Sequence, residues 1–319
     1  MRVRTGDRTV LVTGGSGALG SQLVRHVVST GEHVVVLLRG DGVPVRLGDV
    51  FSRLAVFRGD ITNAADVARC IAESRPKVVF HLASASFNPP PADSRAYVLP
   101  IVNGTVNVVE AVRSGAPDAA IVFAGSAAVY PSGRGLSESS PLRPGTTFGA
   151  AKAAASLLFS TSCRTNGIRG VELRLFTPYG PWERSGRLIP SLVLASLSGN
   201  SPTVTGGDQT RDYVHVDDVI KAFMRAAETS TAPGAVYNIC SGRGVPVRQV
   251  AEAVMKLLGN SNLRVVPGQA RPDEIMEMEG VNDLARRDLG WSPSVGFEEG
   301  LRDTVRWYVV NAQIAGQLR

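Results

Sequence analysis

Val12-Thr-Gly-Gly-Ser-Gly-Ala-Leu-Gly20 places Gly14, Gly17 and Gly20 between an apolar strand and an amphipathic helix. The chemistry this spacing serves is the binding of a dinucleotide pyrophosphate. The first glycine permits a tight turn, the second lets backbone amides approach the anion, and the third lets the helix pack closely on the strand, with its positive end toward the phosphates. Ser16, Ala18 and Leu19 complete the candidate turn. At the end of the next strand stands Leu38-Arg39-Gly40, where an acidic residue usually accepts from the adenosine ribose. Arginine suits the 2′-phosphate of NADP, so NADP is expected, with NAD as the alternative. The other reading of Arg39 is a solvated loop residue. Asp60, with Ile61 after it, suits either the adenine amine or the cap of a helix beginning near Asn63.

Such a site needs a βαβ array to hold it, and the hydrophobic period switches accordingly along the chain. Strands are expected at Val10–Thr13, His33–Leu38, Leu54–Phe57, Val78–His81, Ala120–Ala124 and Gly170–Leu175. Helices are expected over Leu19–Thr30, Asn103–Arg113 and Phe148–Arg164. His33–Leu38 is continuously apolar, as a parallel strand covered on both faces must be. The fold class is therefore α/β: a Rossmann-type doubly wound parallel sheet with a smaller C-terminal substrate lobe. Residues 1–178 form the dinucleotide-binding part, and 179–319 mainly the lobe, interleaved with the first. After Gly180 the pattern loosens into Pro- and Gly-marked loops with short elements. Asn88-Pro-Pro-Pro-Ala92 forms a stiff loop near the ligand edge of the sheet.

The 319 residues, 44% of them apolar, suffice for a full α/β core. No apolar run is long enough to span a bilayer and the N-terminus enters a strand directly, so a soluble cytoplasmic protein without a membrane partner is expected. The three cysteines lie far apart, which suggests neither a metal site nor a disulfide framework. A net charge of +6 is dispersed along the chain, which fits a polyanionic small ligand and not nucleic acid.

The chain resembles the NAD-dependent epimerase/dehydratase family, the extended short-chain dehydrogenases acting on nucleotide sugars. The resemblance rests on TGGSGALG, the GDIT step, VVFHLAS at 78–84, VNGTVNVVEA at 102–111, FAGSAAVYP at 123–131, RLFTPYGPWE at 174–183 and GGDQTRDYVHVDDV at 206–219. It implies that Leu82, Ala83 and Ser84 lie along the cofactor and that Pro178 meets its nicotinamide end. The substrate implied is a nucleoside diphosphate sugar, with Ser86, Ser126, Thr177, Arg187, Leu188, Arg211 and Arg271 as its candidate contacts. It also implies a homodimer built on the helices at 103–113 and 148–164.

In the family a Y-x-x-x-K pair and a separate Ser or Thr carry the proton chemistry. Four-residue spacing puts phenol and ammonium on one helical face, where the charge lowers the phenol's pKa. Here the pair reads Phe148-Gly-Ala-Ala-Lys152, so Ser126 and Lys152 remain, the resemblance implying that Lys152 also holds the nicotinamide ribose of the cofactor, and Phe148 takes the tyrosine's place. A second departure puts Ile101 where the family has asparagine. Three explanations stand: an engineered Tyr-to-Phe change that traps a complex, a natural enzyme with another donor, or a binding protein without turnover. Ile101 favours natural divergence. The expected activity is 4-ketoreduction of a nucleoside diphosphate 4-keto-6-deoxyhexose; the alternatives are a 4-epimerase or 4,6-dehydratase retaining NAD, or a non-catalytic binding module. Asp217 and Asp218 are expected to cap a helix, and His81 to be structural.

Overall fold

The computed structural model describes residues 8–85, 93–262, 264–266 and 275–318. Its core is a seven-stranded sheet. The strands are β1 (Thr9–Thr13), β2 (His33–Leu38), β3 (Ala55–Arg58), β4 (Val78–His81), β5 (Ala120–Ser126), β6 (Gly170–Leu175) and β7 (Ala235–Ile239). Their order is β7-β6-β5-β4-β1-β2-β3, with every pairing parallel. The order reverses beside β1, which opens a crevice at the carboxyl ends of β1 and β4.

Helices cover both faces. Helix α1 (Ala18–Ser29) buries Leu23, Val24, Val27 and Val28 on one face, with Val216–Glu228 beside it. The other face carries α2 (Ala64–Ser74), α3 (Gly104–Gly115) and α4 (Thr147–Asn166), whose apolar sides close over Leu11, Val79, Ile121 and Phe123. Before α3 the chain makes a wide helical turn over Val98–Asn103. Pro100 lies inside it and has no N–H to give, so an ordinary turn is broken there. Helix α4 starts at the Thr146 hydroxyl, which accepts from Gly149 N at 3.0 Å, and stops at Gly167 in the left-handed region.

Strand β7 comes from the segment expected to be mainly lobe, interleaved with the first part. Val171, Leu173 and Ile239 are buried where β7 adds its edge to β6. The remaining C-terminal elements, including Leu188–Leu197, Val247–Leu258 and Phe297–Val310, gather around a separate apolar cluster. Two local expectations are corrected. His215, not Asp217 or Asp218, caps the helix Val216–Glu228. Asp218 instead accepts from the backbone of Ser294 and Val295 and from Lys221, tying the helix to the chain beyond Trp291. Asn63 caps α2, while Asp60 accepts from the amide and hydroxyl of Thr62, both at 2.8 Å. No helix among the described residues is long and apolar enough to cross a membrane.

Candidate active site

The turn from β1 into α1 is shaped as its glycines require. Gly14 has φ +73°, and a Cβ there would sit 2.6 Å from the backbone of Leu82 and Ala83. A Cβ on Gly20 would collide with the carbonyl of Gly14, so the helix approaches the turn more closely than any side chain allows. Gly17 precedes the helix in extended conformation, leaving the first amides of α1 at the crevice. No carboxylate stands in that first turn to satisfy them. The cradle fits a dinucleotide pyrophosphate; when bound there, a nicotinamide dinucleotide supplies or accepts hydride.

Gly14, Gly17, Ala18, Leu19, Leu82 and Ser84 form one wall of a cleft of about 460 Å³. Ser126, Phe148 and Lys152 line its middle, and Thr177, Pro178, Arg187 and Arg211 its far side. The fold therefore brings glycine turn, candidate catalytic residues and two candidate substrate arginines into one space. Ser16, Arg39, Asp60, Ile61, Ala83 and Leu188 lie outside the cleft lining. Ile61 is buried against Gly104. Ala83 donates its amide to Thr13 Oγ1 at 3.4 Å, and Leu188 starts the helix that follows Arg187. Arg39 and Asp60 flank each other at 3.9 Å beyond the end of β2. Ser86, Arg271 and the proline loop lie outside the described residues.

Ser126 ends β5, and its Oγ accepts from Ala128 N at 3.2 Å, so it caps the following turn while facing the cleft. Lys152 is buried on α4 and donates to the Ala124 carbonyl at 2.9 Å. Burial pulls its ammonium down to about 8, against the pull of the Glu172 carboxylate. The ammonium lies 5.3 Å from the Phe123 ring centroid and 6.0 Å from that of Phe148. Phe148, one helical turn before Lys152, packs edge-to-face on Tyr97 at 5.7 Å.

Beneath the cleft lies a buried polar network that the sequence reading passes over. Glu172 accepts from Ser156, and Arg174 donates to Ser156 Oγ at 3.1 Å and to the Tyr130 hydroxyl at 2.8 Å. Tyr130 in turn donates to Asn238 Oδ1 at 2.8 Å. The signal was present: Glu172 and Arg174 are the two charges in an otherwise apolar strand. Gly125 is glycine because Glu172 fills the space its Cβ would need. His81 is fully buried, bonded to Thr13 Oγ1 at 2.7 Å and to Thr105 Oγ1 at 3.1 Å. Burial and the Lys152 charge hold it neutral, with a pKa of about 3. It is structural, as expected.

A parallel sheet reversing beside a glycine turn, with hydroxyl and lysine at one cleft, defines a nicotinamide-dependent enzyme fold of the short-chain dehydrogenase kind. The chain belongs to the NAD-dependent epimerase/dehydratase family, whose model matches residues 10–240. It is 31% identical to a dTDP-glucose 4,6-dehydratase of Neisseria gonorrhoeae, over 96% of this chain and 97% of that one. It is 30% identical to UDP-glucuronate 4-epimerase 5 of Arabidopsis thaliana, over 95% of this chain and 76% of that protein. Among solved structures it is similar to DesIV, a dTDP-glucose 4,6-dehydratase of Streptomyces venezuelae with NAD bound. The TM-score is 0.88 at 28% identity, covering 98% of this chain and all of that one. The relatives are NAD-dependent dehydratases and epimerases of nucleotide sugars.

Proposed function

We propose that the protein is a cytoplasmic NADPH-dependent reductase of a nucleoside diphosphate sugar, acting on the C4 carbonyl of a 4-keto-6-deoxyhexose. The observation that carries this reading is the end of β2. Leu38 is buried and has no acceptor for a ribose hydroxyl, and the next side chain is the exposed guanidinium of Arg39. A site that prefers NADP fits a reaction that consumes reduced cofactor. An epimerase or dehydratase instead returns its hydride and keeps the cofactor.

Phe148 can neither take nor give the proton that accompanies hydride transfer, so another group of the cleft must move it. In this reading Ser126 and Thr177 orient the carbonyl, while Arg187 and Arg211 hold the diphosphate. By the family resemblance Arg271 is a further candidate for the diphosphate and Ser86 for the sugar. The glycine turn, Leu82–Ser84 and Pro178 hold the cofactor, and Asp60 its adenine.

The names of the relatives favour a second reading, a 4-epimerase or 4,6-dehydratase retaining NAD. A third, a binding protein without turnover, draws on Phe148 and Ile101. Exposed Val106 on α3 and Leu157 and Leu158 on α4 support a homodimer through that face. Mixing the protein with NADPH or NADH and a panel of 4-keto sugar nucleotides tests the reading by loss of nicotinamide absorbance. The reading expects oxidation of NADPH in preference to NADH; turnover of saturated sugar nucleotides without added cofactor would replace it with the second, and neither reaction with the third.

A further inference from the structure

With Phe148 in the cleft, the proton for the new hydroxyl must come from elsewhere. The cleft hydroxyls are poor sources. Ser126 Oγ and Thr146 Oγ1 accept from the amides of Ala128 and Gly149, which leaves each O–H able to donate but does not make it acidic. An alcohol on its own is a weak acid. Lys152 differs from both: its ammonium lines the same cleft, carries three N–H bonds, and is bonded to a single carbonyl, that of Ala124, among the described residues.

We propose that Lys152 is itself the proton donor of the reduction, giving an ammonium proton to the carbonyl oxygen as hydride reaches the carbon. This rests on the reductase reading above. The balance is complete: hydride and its two electrons come from NADPH, the C=O π pair moves onto oxygen, and an Nζ–H bond breaks as the O–H bond forms. The products are the alcohol, NADP⁺ and a neutral amine, which regains its proton from solvent.

The surroundings suit this role. Glu172 faces the lysine from β6 with Arg174 behind it, His81 stands on β4, and Arg187 and Arg211 lie across the cleft. His81 is held neutral and Arg187 is held charged by Glu183 beside it, so neither changes charge beside the amine. Burial brings the ammonium to about 8, acidic enough to give its proton near neutrality, while Glu172 keeps it charged beforehand. A lysine that served only to bind ribose would gain nothing from a weakened hold on its proton.

The test begins on the cofactor-free protein, where NMR of the Lys152 Nζ and Cε nuclei should show titration near 8, and Glu172→Gln should lower that midpoint. In single-turnover hydride transfer the rate should fall about tenfold per pH unit above the same midpoint. Lys152→Arg keeps the positive charge but cannot release it. It should bind NADPH within about threefold of the wild type yet lose roughly 10²- to 10⁴-fold in hydride transfer. In Lys152→Ala, added primary amines should restore part of the rate. A rate indifferent to the lysine's titration, or Lys152→Arg at wild-type speed, overturns the proposal and leaves the reductase reading standing. No oxidation of NADPH by the wild type with any keto sugar nucleotide overturns both.

Discussion

The Arg39 guanidinium and the Asp60 carboxylate stand 3.9 Å apart, joining the end of β2 to the end of β3 at the edge of the cofactor crevice. Arg39 is largely solvent-exposed and Asp60 partly so, so the pair itself adds little to stability. What it does is hold a cation and an acceptor side by side, the first suited to a 2′-phosphate and the second to the adenine amine.

Arg39→Ala should therefore weaken NADP binding by about 1.5–3 kcal/mol and leave NAD nearly unchanged. Calorimetric titration with both cofactors decides it. An equal loss for each would return Arg39 to the solvated-loop reading.

The glycine turn was legible because its residues work through the backbone. Glycines at 14, 17 and 20 announce a turn whose shape follows from steric rules alone, and the apolar strands around it have an unambiguous period. The lobe was less legible. Ala235–Ile239 is a short run, and its place at the sheet edge depends on β6 being already there, a contact no local pattern encodes. The Glu172 network escaped for a related reason: in sequence it is two charges in a strand, and only packing shows that they lie buried beneath Gly125.

Arg211 donates to the carbonyls of Thr210 and Ile275 at 2.9 and 2.6 Å, which anchors the guanidinium at the cleft wall. Replacing it with alanine should weaken nucleotide-sugar binding by about 10- to 100-fold, the worth of a charge-assisted contact. Cofactor affinity, measured in the same protein, should stay at its wild-type value. Unchanged sugar-nucleotide affinity would make Arg211 a purely structural residue.

His81 gives the fold an acid-sensitive point. Its folded pKa lies near 3, against an ordinary value of 6.5, so between these values the unfolded chain binds a proton that the native protein does not. Stability from this residue is complete above about pH 6.5 and is lost as pH falls toward 3, at about 1.4 kcal/mol per unit. Denaturant unfolding of the wild type and His81→Asn across that range should show the two stabilities converging as pH falls. Parallel curves would mean that the imidazole titrates alike in both states.

Phe148→Tyr bears on the proposed chemistry most directly. The ring already packs on Tyr97 and borders the Lys152 ammonium, so the substitution adds a phenol to an otherwise unchanged position. In a site lacking any acid, that phenol should raise hydride transfer by the 10²- to 10⁴-fold typical of general acid catalysis. Where Lys152 already donates, the gain should stay below about tenfold, and the alkaline limb of the rate should move away from the lysine's midpoint as the phenol takes over the donation. Stopped-flow single turnovers of both proteins from pH 6 to 10 separate these cases. A large gain with an unshifted limb would show that the wild type works without a built-in acid, and tight ternary binding without oxidation in either protein would assign the fold to binding alone.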